Sequence, residues 1–229
     1  NSGSSALFLA FAAANFPKGS EVITPVLSFG TTVAAIVHNN LIPVFIDVKK
    51  TTFCIDENDI EKMISRKTKA ICVPNLIGNV PNWIVIKKIA KKYNLLIVED
   101  SADALGSKIN NKYTGYYSDI SITSFYGSHI ISCAGSGGMV CFNNFKYFKK
   151  AKLLSSWGRS SALYGNSEKI EHRFNIKIDN IYYDRKFVFS EIGYNFLPNE
   201  VQAAYGLKQL DKLKNNLKLR RKFFKSHQS

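Results

Sequence analysis

Apolar residues along this chain fall into two patterns that alternate. Residues 21–25, 43–48, 70–74 and 95–100 are short runs rich in Val and Ile, bounded by Pro, Asn or Asp, which is the signature of strands. In 70–73 and 95–98 the apolar residues are consecutive rather than alternate, as expected of strands covered on both faces of a parallel sheet. Between these runs, residues 31–38, 57–65 and 83–93 place apolar side chains three and four apart, as with Ile84, Ile86, Ile89 and Ala90, and this spacing predicts helices. The order strand, helix, strand, helix predicts an α/β fold with a mostly parallel sheet, helices on its faces and right-handed crossovers. Two further strand-like runs, 120–126 and 138–142, flank a glycine-rich segment at 129–138, and a Lys- and Leu-rich helix is expected from Phe145. Residues 155–189 are polar and irregular, which predicts a long excursion over a surface or an active site.

Composition narrows the class without changing this picture. With 229 residues, 45% hydrophobic and 21% charged, the chain can bury a substantial core, and one domain is the simplest reading. The excess of 31 Lys and Arg over 17 Asp and Glu gives a net charge of +14. The dense basic runs, Lys87-Lys88 with Lys91-Lys92 and residues 212–225, have helical spacing and lack interleaved aromatics, so they read as solvated helix faces and not as a nucleic-acid site. Attraction for an anionic substrate is the more natural consequence. Cys54, Cys72, Cys133 and Cys141 form no CxxC pair, which argues against a metal knuckle or a disulfide framework and fits reduced thiols in the cytoplasm. No apolar run approaches the ~20 residues of a membrane span, and no secretory segment opens the chain. A soluble cytoplasmic protein without a membrane or metal partner is expected. The chain starts at Asn1 and stops just after a basic helical stretch, so both ends are expected to be truncated.

In open α/β sheets ligands collect beyond the carboxyl ends of the strands. Four places there carry chemistry: Ser28-Phe29, residues 75–79, residues 100–106 and residues 124–129. The opening Asn1-Ser2-Gly3-Ser4-Ser5 adds a helix start whose free amides and hydroxyls suit a phosphate, or which simply caps the helix. Asp100, after the apolar residues 95–98, is either a functional carboxylate or a structural one at a strand end.

Taken in order, these segments resemble the DegT family of pyridoxal-phosphate-dependent sugar aminotransferases and dehydratases. The resemblance rests on Ser-Gly-Ser-Ser-Ala at 2–6, Thr-Pro-Val-Leu-Ser-Phe-Gly-Thr-Thr at 24–32, Pro-Val-Phe-Ile-Asp at 43–47, Glu-Asp-Ser-Ala-Asp-Ala-Leu-Gly at 99–106, Ser-Phe-Tyr-Gly-Ser-His at 124–129, Gly-Ser-Gly-Gly-Met-Val at 135–140 and Gly-Tyr-Asn-Phe at 193–196 followed by Gln202-Ala203-Ala204. It implies the large domain of a fold-type-I, aspartate-aminotransferase-like enzyme over residues 1–210. Residues 211–229 would then begin the connection to a small C-terminal domain. It further implies that Asp100 pairs with the ring nitrogen of pyridoxal 5'-phosphate or pyridoxamine 5'-phosphate, that Phe29 stacks on the ring, and that Gly3, Ser4, Ser5 and Ser124 hold the phosphate, with Asn195 reaching it from the second subunit of a homodimer. Asp103 stands where many relatives carry a glutamine near the ring hydroxyl, and its role stays open.

His129 departs from the aminotransferase pattern. The resemblance places it where those enzymes carry the lysine that forms a Schiff base with the cofactor, and imidazole cannot form one. A histidine here is similar to the group of 3-dehydratases acting on 4-keto-6-deoxy nucleotide sugars, and it implies acid/base work by a side chain that titrates near neutral pH, with glutamate as the amino donor. Lys108 and Lys112 lie outside the Ser-Phe-Tyr frame. Segments 156–159, 173–174, 183–187 and 190–195 resemble iron–sulfur-containing sugar 3-dehydrases, yet Ser160-Ser161-Ala162-Leu163 lacks the cysteines that follow there, so no iron–sulfur cluster is expected. Arg159 and Arg185 are candidates for the diphosphate of a nucleotide-sugar substrate, since guanidinium forks match phosphate oxygens. A sugar aminotransferase with its lysine replaced, and a non-catalytic relative, remain as alternatives.

Overall fold

The computed structural model describes residues 1–164 and 169–228; residues 165–168, within the irregular stretch, and Ser229 lie outside them. In chain order the elements are α1 (Gly3–Ala14), β1 (Glu21–Pro25), α2 (Gly30–His38), β2 (Ile42–Ile46), α3 (Glu57–Ile60), β3 (Thr68–Pro74), α4 (Trp83–Tyr93), β4 (Leu96–Asp100), β5 (Lys108–Ile109), β6 (Lys112–Tyr113), β7 (Ile120–Ser124), β8 (Gly138–Phe142), α5 (Phe145–Ser155), α6 (Ile170–Arg173), β9 (Ile176–Ile178), β10 (Ile181–Tyr183) and α7 (Glu200–Gln228). Six strands form the central sheet in the order β2-β1-β3-β4-β7-β8. Every pairing is parallel except β7 with β8, which is antiparallel with Ser124 opposite Gly138. The mostly parallel sheet flanked by helices is the one predicted from the apolar pattern.

Consecutive apolar residues work here because alternate side chains enter two different cores. Val22, Ala70, Cys72, Val98, Ile120 and Ile122 face α1 and α2, where they meet Leu7, Ala10, Phe11 and Ile36. Ile23, Ile71, Val73 and Ile97 face the opposite side, against Ile60, Trp83, Ile86 and Ile89 of α3 and α4. The first helix is apolar almost all round, and it is correspondingly enclosed, contacting α2, α5, β7 and β8. Full burial of side chains such as Leu7 and Phe11 contributes roughly 1.5–3 kcal/mol each.

The strand expected over 43–48 ends at Ile46, and two other elements end early for reasons visible in their own side chains. The helix predicted over 57–65 is a single turn, α3, followed by a 3-10 turn over Glu61–Met63. The Ser65 amide donates to Thr68 Oγ1 at 2.9 Å, so a side chain takes over a donor that helix continuation would have used. The strand expected over 120–126 stops at Ser124, whose own Oγ accepts the Tyr126 amide at 3.3 Å and turns the chain out of the sheet. Within 155–189 the irregular reading holds for much of the described backbone, whose elements are short: α6, the β9–β10 hairpin and 3-10 turns over Ser160–Leu163 and Arg185–Phe187. The last helix, α7, continues without a break through residue 210. None of the described helices is long and apolar enough to cross a membrane.

Candidate active site

The carboxyl ends of β1, β3, β4 and β7 open on one cavity of about 680 Å³. Its wall is drawn from the turns that follow these strands and from the start of α1. Gly3, Ser4, Phe29, Asp100, Asp103, Ser124 and His129 all line it, together with Ser2, Ser28, Thr32, Asn75, Ile77, Tyr126, Ser128 and Ser136.

One corner is polar and very close-packed. Ser2 caps α1, its Oγ accepting the Ser5 amide at 3.0 Å. A Cβ on Gly3 would stand 2.6 Å from Ser124 Cβ, and one on Gly138 would stand 2.2 Å from the Ser2 carbonyl oxygen. Only glycine lets the α1 N-terminus sit against the end of β7 and β8, and the result is a helix start with free amides beside the Ser124 hydroxyl, a ready anion cradle. Ser5 does not line the cavity. Its amide is bound by the Ser2 cap and its hydroxyl accepts from Ser2 Oγ at 3.0 Å, so of the Ser-Gly-Ser-Ser turn it is Ser2, Gly3 and Ser4 that face the space.

The floor is Asp100, buried at the end of β4. Thr32 Oγ1 donates to its Oδ2 at 2.9 Å and the Ala102 amide donates to Oδ1 at 3.2 Å. Burial nevertheless pushes the Asp100 carboxyl above its ordinary range, the two hydrogen bonds opposing only part of the desolvation. Such a carboxylate favours a buried cation beside it. Thr32 was not singled out from sequence, although it belongs to the Thr31-Thr32 pair that starts α2; its position two strands away from β4 in the chain gives no local hint of the contact.

His129 and Asp103 meet across the mouth of the β7 turn. His129 Nε2 lies 3.3 Å from Asp103 Oδ1, while Asp103 Oδ2 accepts the Ile77 amide at 3.1 Å. The other ring nitrogen, His129 Nδ1, is buried and has no hydrogen-bond partner. Ile77 is held at φ 49°, a conformation costly for a β-branched residue, so the Asp103 contact helps fix a strained turn at the cavity wall. Tyr126 approaches the imidazole edge-on, with ring centroids 6.1 Å apart.

The remaining predicted residues lie elsewhere. Arg159 sits over the Trp157 ring at 4.5 Å and the Phe189 ring at 5.9 Å. Arg185 lies over Tyr164 at 4.5 Å and donates to Asn175 Oδ1 at 2.8 Å. Neither lines the cavity. Asn195 is exposed, pairs through its backbone with Ser156 and also stays outside the cavity of its own chain. Lys108 and Lys112 belong to the β5–β6 hairpin, where their ammonium groups lie over Tyr113 and Tyr116. Among the described residues no lysine lines the cavity.

Comparison with known proteins gives the same region a family context. Residues 1–229 match the model of the DegT/DnrJ/EryC1/StrS aminotransferase family. The chain is 37% identical over 234 residues to the lipopolysaccharide biosynthesis protein RfbH of Salmonella typhimurium, covering 97% of this chain and 53% of that protein. It superposes on the E. coli GDP-4-keto-6-deoxy-D-mannose-3-dehydratase with bound hydrated PLP at a TM-score of 0.85 and 29% identity, covering 96% of this chain and 57% of that one. Against Helicobacter pylori PseC, an aminotransferase involved in the biosynthesis of pseudoaminic acid, the TM-score is 0.78 at 31% identity, with 93% and 52% covered. The chain thus spans about half the length of the relatives it matches.

Proposed function

The chain belongs to the DegT/DnrJ/EryC1/StrS aminotransferase family, and from that premise we propose that it binds pyridoxal 5'-phosphate or its pyridoxamine form and removes the C3 hydroxyl of a 4-keto-6-deoxyhexose nucleotide, a step of deoxysugar and lipopolysaccharide biosynthesis. The observation that carries this reading is His129 at the cavity wall beside Asp103, with no lysine lining that cavity among the described residues.

The residues present fit the cofactor. The cradle that a Cβ on Gly3 would fill, with Ser4 and Ser124 beside it, suits a phosphate. Phe29, 71% exposed at the rim, offers an aromatic face. Asp100, buried and held above the ordinary carboxylate range by desolvation, suits a protonated ring nitrogen as its counter-charge. When bound, the cofactor supplies an electron sink for the carbon skeleton of the sugar.

The chain's own groups then divide the work. Asp100 holds the proton on the ring nitrogen, and Thr32 and the Ala102 amide hold Asp100. With Asp103 beside its Nε2, the His129 imidazole is the proposed acid/base, taking a proton from the reacting centre and returning one to the departing C3 hydroxyl. Asp103 orients the imidazole and provides a counter-charge for its protonated form. Glutamate is the proposed amino donor, the cytoplasm the proposed location, and a homodimer the proposed assembly, with Asn195 turned toward the partner's cavity. Residues 1–210 form the cofactor-binding domain in this reading, and α7 leads onward from it.

The test is an absorbance spectrum of the full chain loaded with pyridoxal phosphate, recorded before and after glutamate and after borohydride. The expected result is free-aldehyde absorption that glutamate converts to the amine form, with no cofactor fixed to the chain by borohydride and a fixable linkage gained in His129→Lys. Borohydride fixation of the cofactor to a lysine of the wild type would replace this reading by transamination, and absence of cofactor binding would leave a non-catalytic relative.

A further inference from the structure

A second, smaller cavity of about 200 Å³ adjoins the first at His129, lined by Ile77, Asp103, Ser128, His129, Ile130 and Arg220. We propose that it is an oxyanion site in which the Arg220 guanidinium holds a phosphate or carboxylate group carried by a reactant; the inference rests on the reading above for the identity of those reactants.

Arg220 reaches this place because α7 is docked along one face. Gln202, Gly206, Gln209, Leu213, Asn216 and Leu217 are its sheltered positions, three and four apart as one helix face requires. The docking is tight at two points: a Cβ on Gly206 would stand 2.3 Å from Cys133 Sγ, in the glycine-rich loop after His129, and a Cβ on Gly106 would stand 2.6 Å from Leu217 Cδ1. Arg220 follows Leu217 by three residues, so it continues this face toward the turn that carries Asp103.

Three features make the cavity a site for an anion. Its guanidinium is uncommitted, since Arg220 forms no ion pair or side-chain hydrogen bond among the described residues, whereas Arg159 and Arg185 are stacked on aromatic rings. Ser128 is a second polar side chain in its wall. The carboxylate that would repel an anion, Asp103, has Oδ1 turned to His129 and Oδ2 engaged by the Ile77 amide. At about 200 Å³ the cavity has room for a compact oxyanion. The wall shared with the main cavity at His129, Ser128, Asp103 and Ile77 places an oxyanion seated here beside His129, as part of a molecule reacting there. The diphosphate of a sugar nucleotide and the carboxylate of the amino donor both have this chemistry.

The experiment uses the full chain with Arg220→Gln and Arg220→Lys, measuring pyrophosphate affinity by calorimetry, the KM for glutamate in conversion of the bound cofactor, and the cofactor absorbance itself. An unchanged cofactor spectrum with affinity for pyrophosphate lowered about tenfold or more in Arg220→Gln, and less in Arg220→Lys, supports the site and identifies a phosphate source. A comparable rise in the glutamate KM alone supports it with a carboxylate source. Wild-type values for both ligands overturn it, and so does a shifted pH profile without loss of either affinity, which would make Arg220 only a counter-charge for Asp103. If the wild type binds no cofactor the proposed function fails, while the pyrophosphate arm still decides whether Arg220 holds an anion.

Discussion

Two carboxylates stand side by side on β4 and meet opposite surroundings. Glu99 points to the closed side of the sheet and is fully buried. Its Oε1 accepts from Asn75 Nδ2 at 2.9 Å and from Ser101 Oγ at 2.8 Å, its Oε2 accepts the Gly115 amide at 2.8 Å, and Trp83 Nε1 fixes the Asn75 amide at 2.9 Å. Asp100 points to the cavity with two donors, and burial raises its carboxyl above the ordinary range. A buried polar group that is fully hydrogen-bonded holds structure together, whereas one left partly compensated is a place prepared for something else. Proximity in the chain says nothing about which fate applies.

The sharpest separation of the two sides comes from the cavity. His129→Asn is expected to lower turnover about 10²–10⁴-fold, the usual worth of a positioned acid/base, while cofactor absorbance and thermal midpoint stay close to wild type; retained turnover would take the proton-transfer role away from His129. On the closed side, Glu99→Ala removes the acceptor of three donors, two of them on buried residues, and is expected to cost about 2–3 kcal/mol, seen as a lower urea midpoint, with the cofactor spectrum of the surviving folded fraction unchanged. A spectral change in that fraction would show that the network tunes Asp100.

Asp100→Asn should move stability and function in opposite directions. Because the folded carboxyl titrates above its unfolded value, its contribution to stability is fully present below the unfolded pKa and is lost as pH rises through the raised one. Removing the charge should therefore raise the thermal midpoint of the cofactor-free protein at neutral pH, by roughly 2–4 °C for each 1 kcal/mol recovered. The gap to wild type should close as pH falls toward the unperturbed 3.8, and the stabilisation by added pyridoxal phosphate should shrink. A midpoint that falls at neutral pH would mean that Thr32 and Ala102 satisfy the carboxylate after all. The smallest effect is expected in the excursion: Arg159→Ala loses its contacts with the Trp157 and Phe189 rings and Arg185→Ala its contact with Tyr164 and its bond to Asn175, ring contacts worth about 0.5–1 kcal/mol apiece, and both leave cofactor binding within about twofold of wild type. A large loss of binding in either would bring the 155–189 segment back into the site.

Strand and helix order was legible in the chain because parallel strands covered on both faces must be apolar at consecutive positions, and the helices that cover them must be apolar at every third or fourth. The places of Phe29, Asp100, Asp103, Ser124 and His129 were legible because a strand's carboxyl end is where an open α/β sheet receives a ligand, and that of Gly3 and Ser4 as a Gly/Ser helix start, while the part each would play was implied only by the family resemblance. Tertiary structure alone decided the rest. Thr32 reaches Asp100, Asp103 finds His129, and Arg220 arrives on a docked helix while Arg159 and Arg185 turn to aromatic rings. Periodicity records only which face of an element is covered. Which polar atom meets which depends on where separate elements come to rest against one another, and no spacing along the chain encodes that.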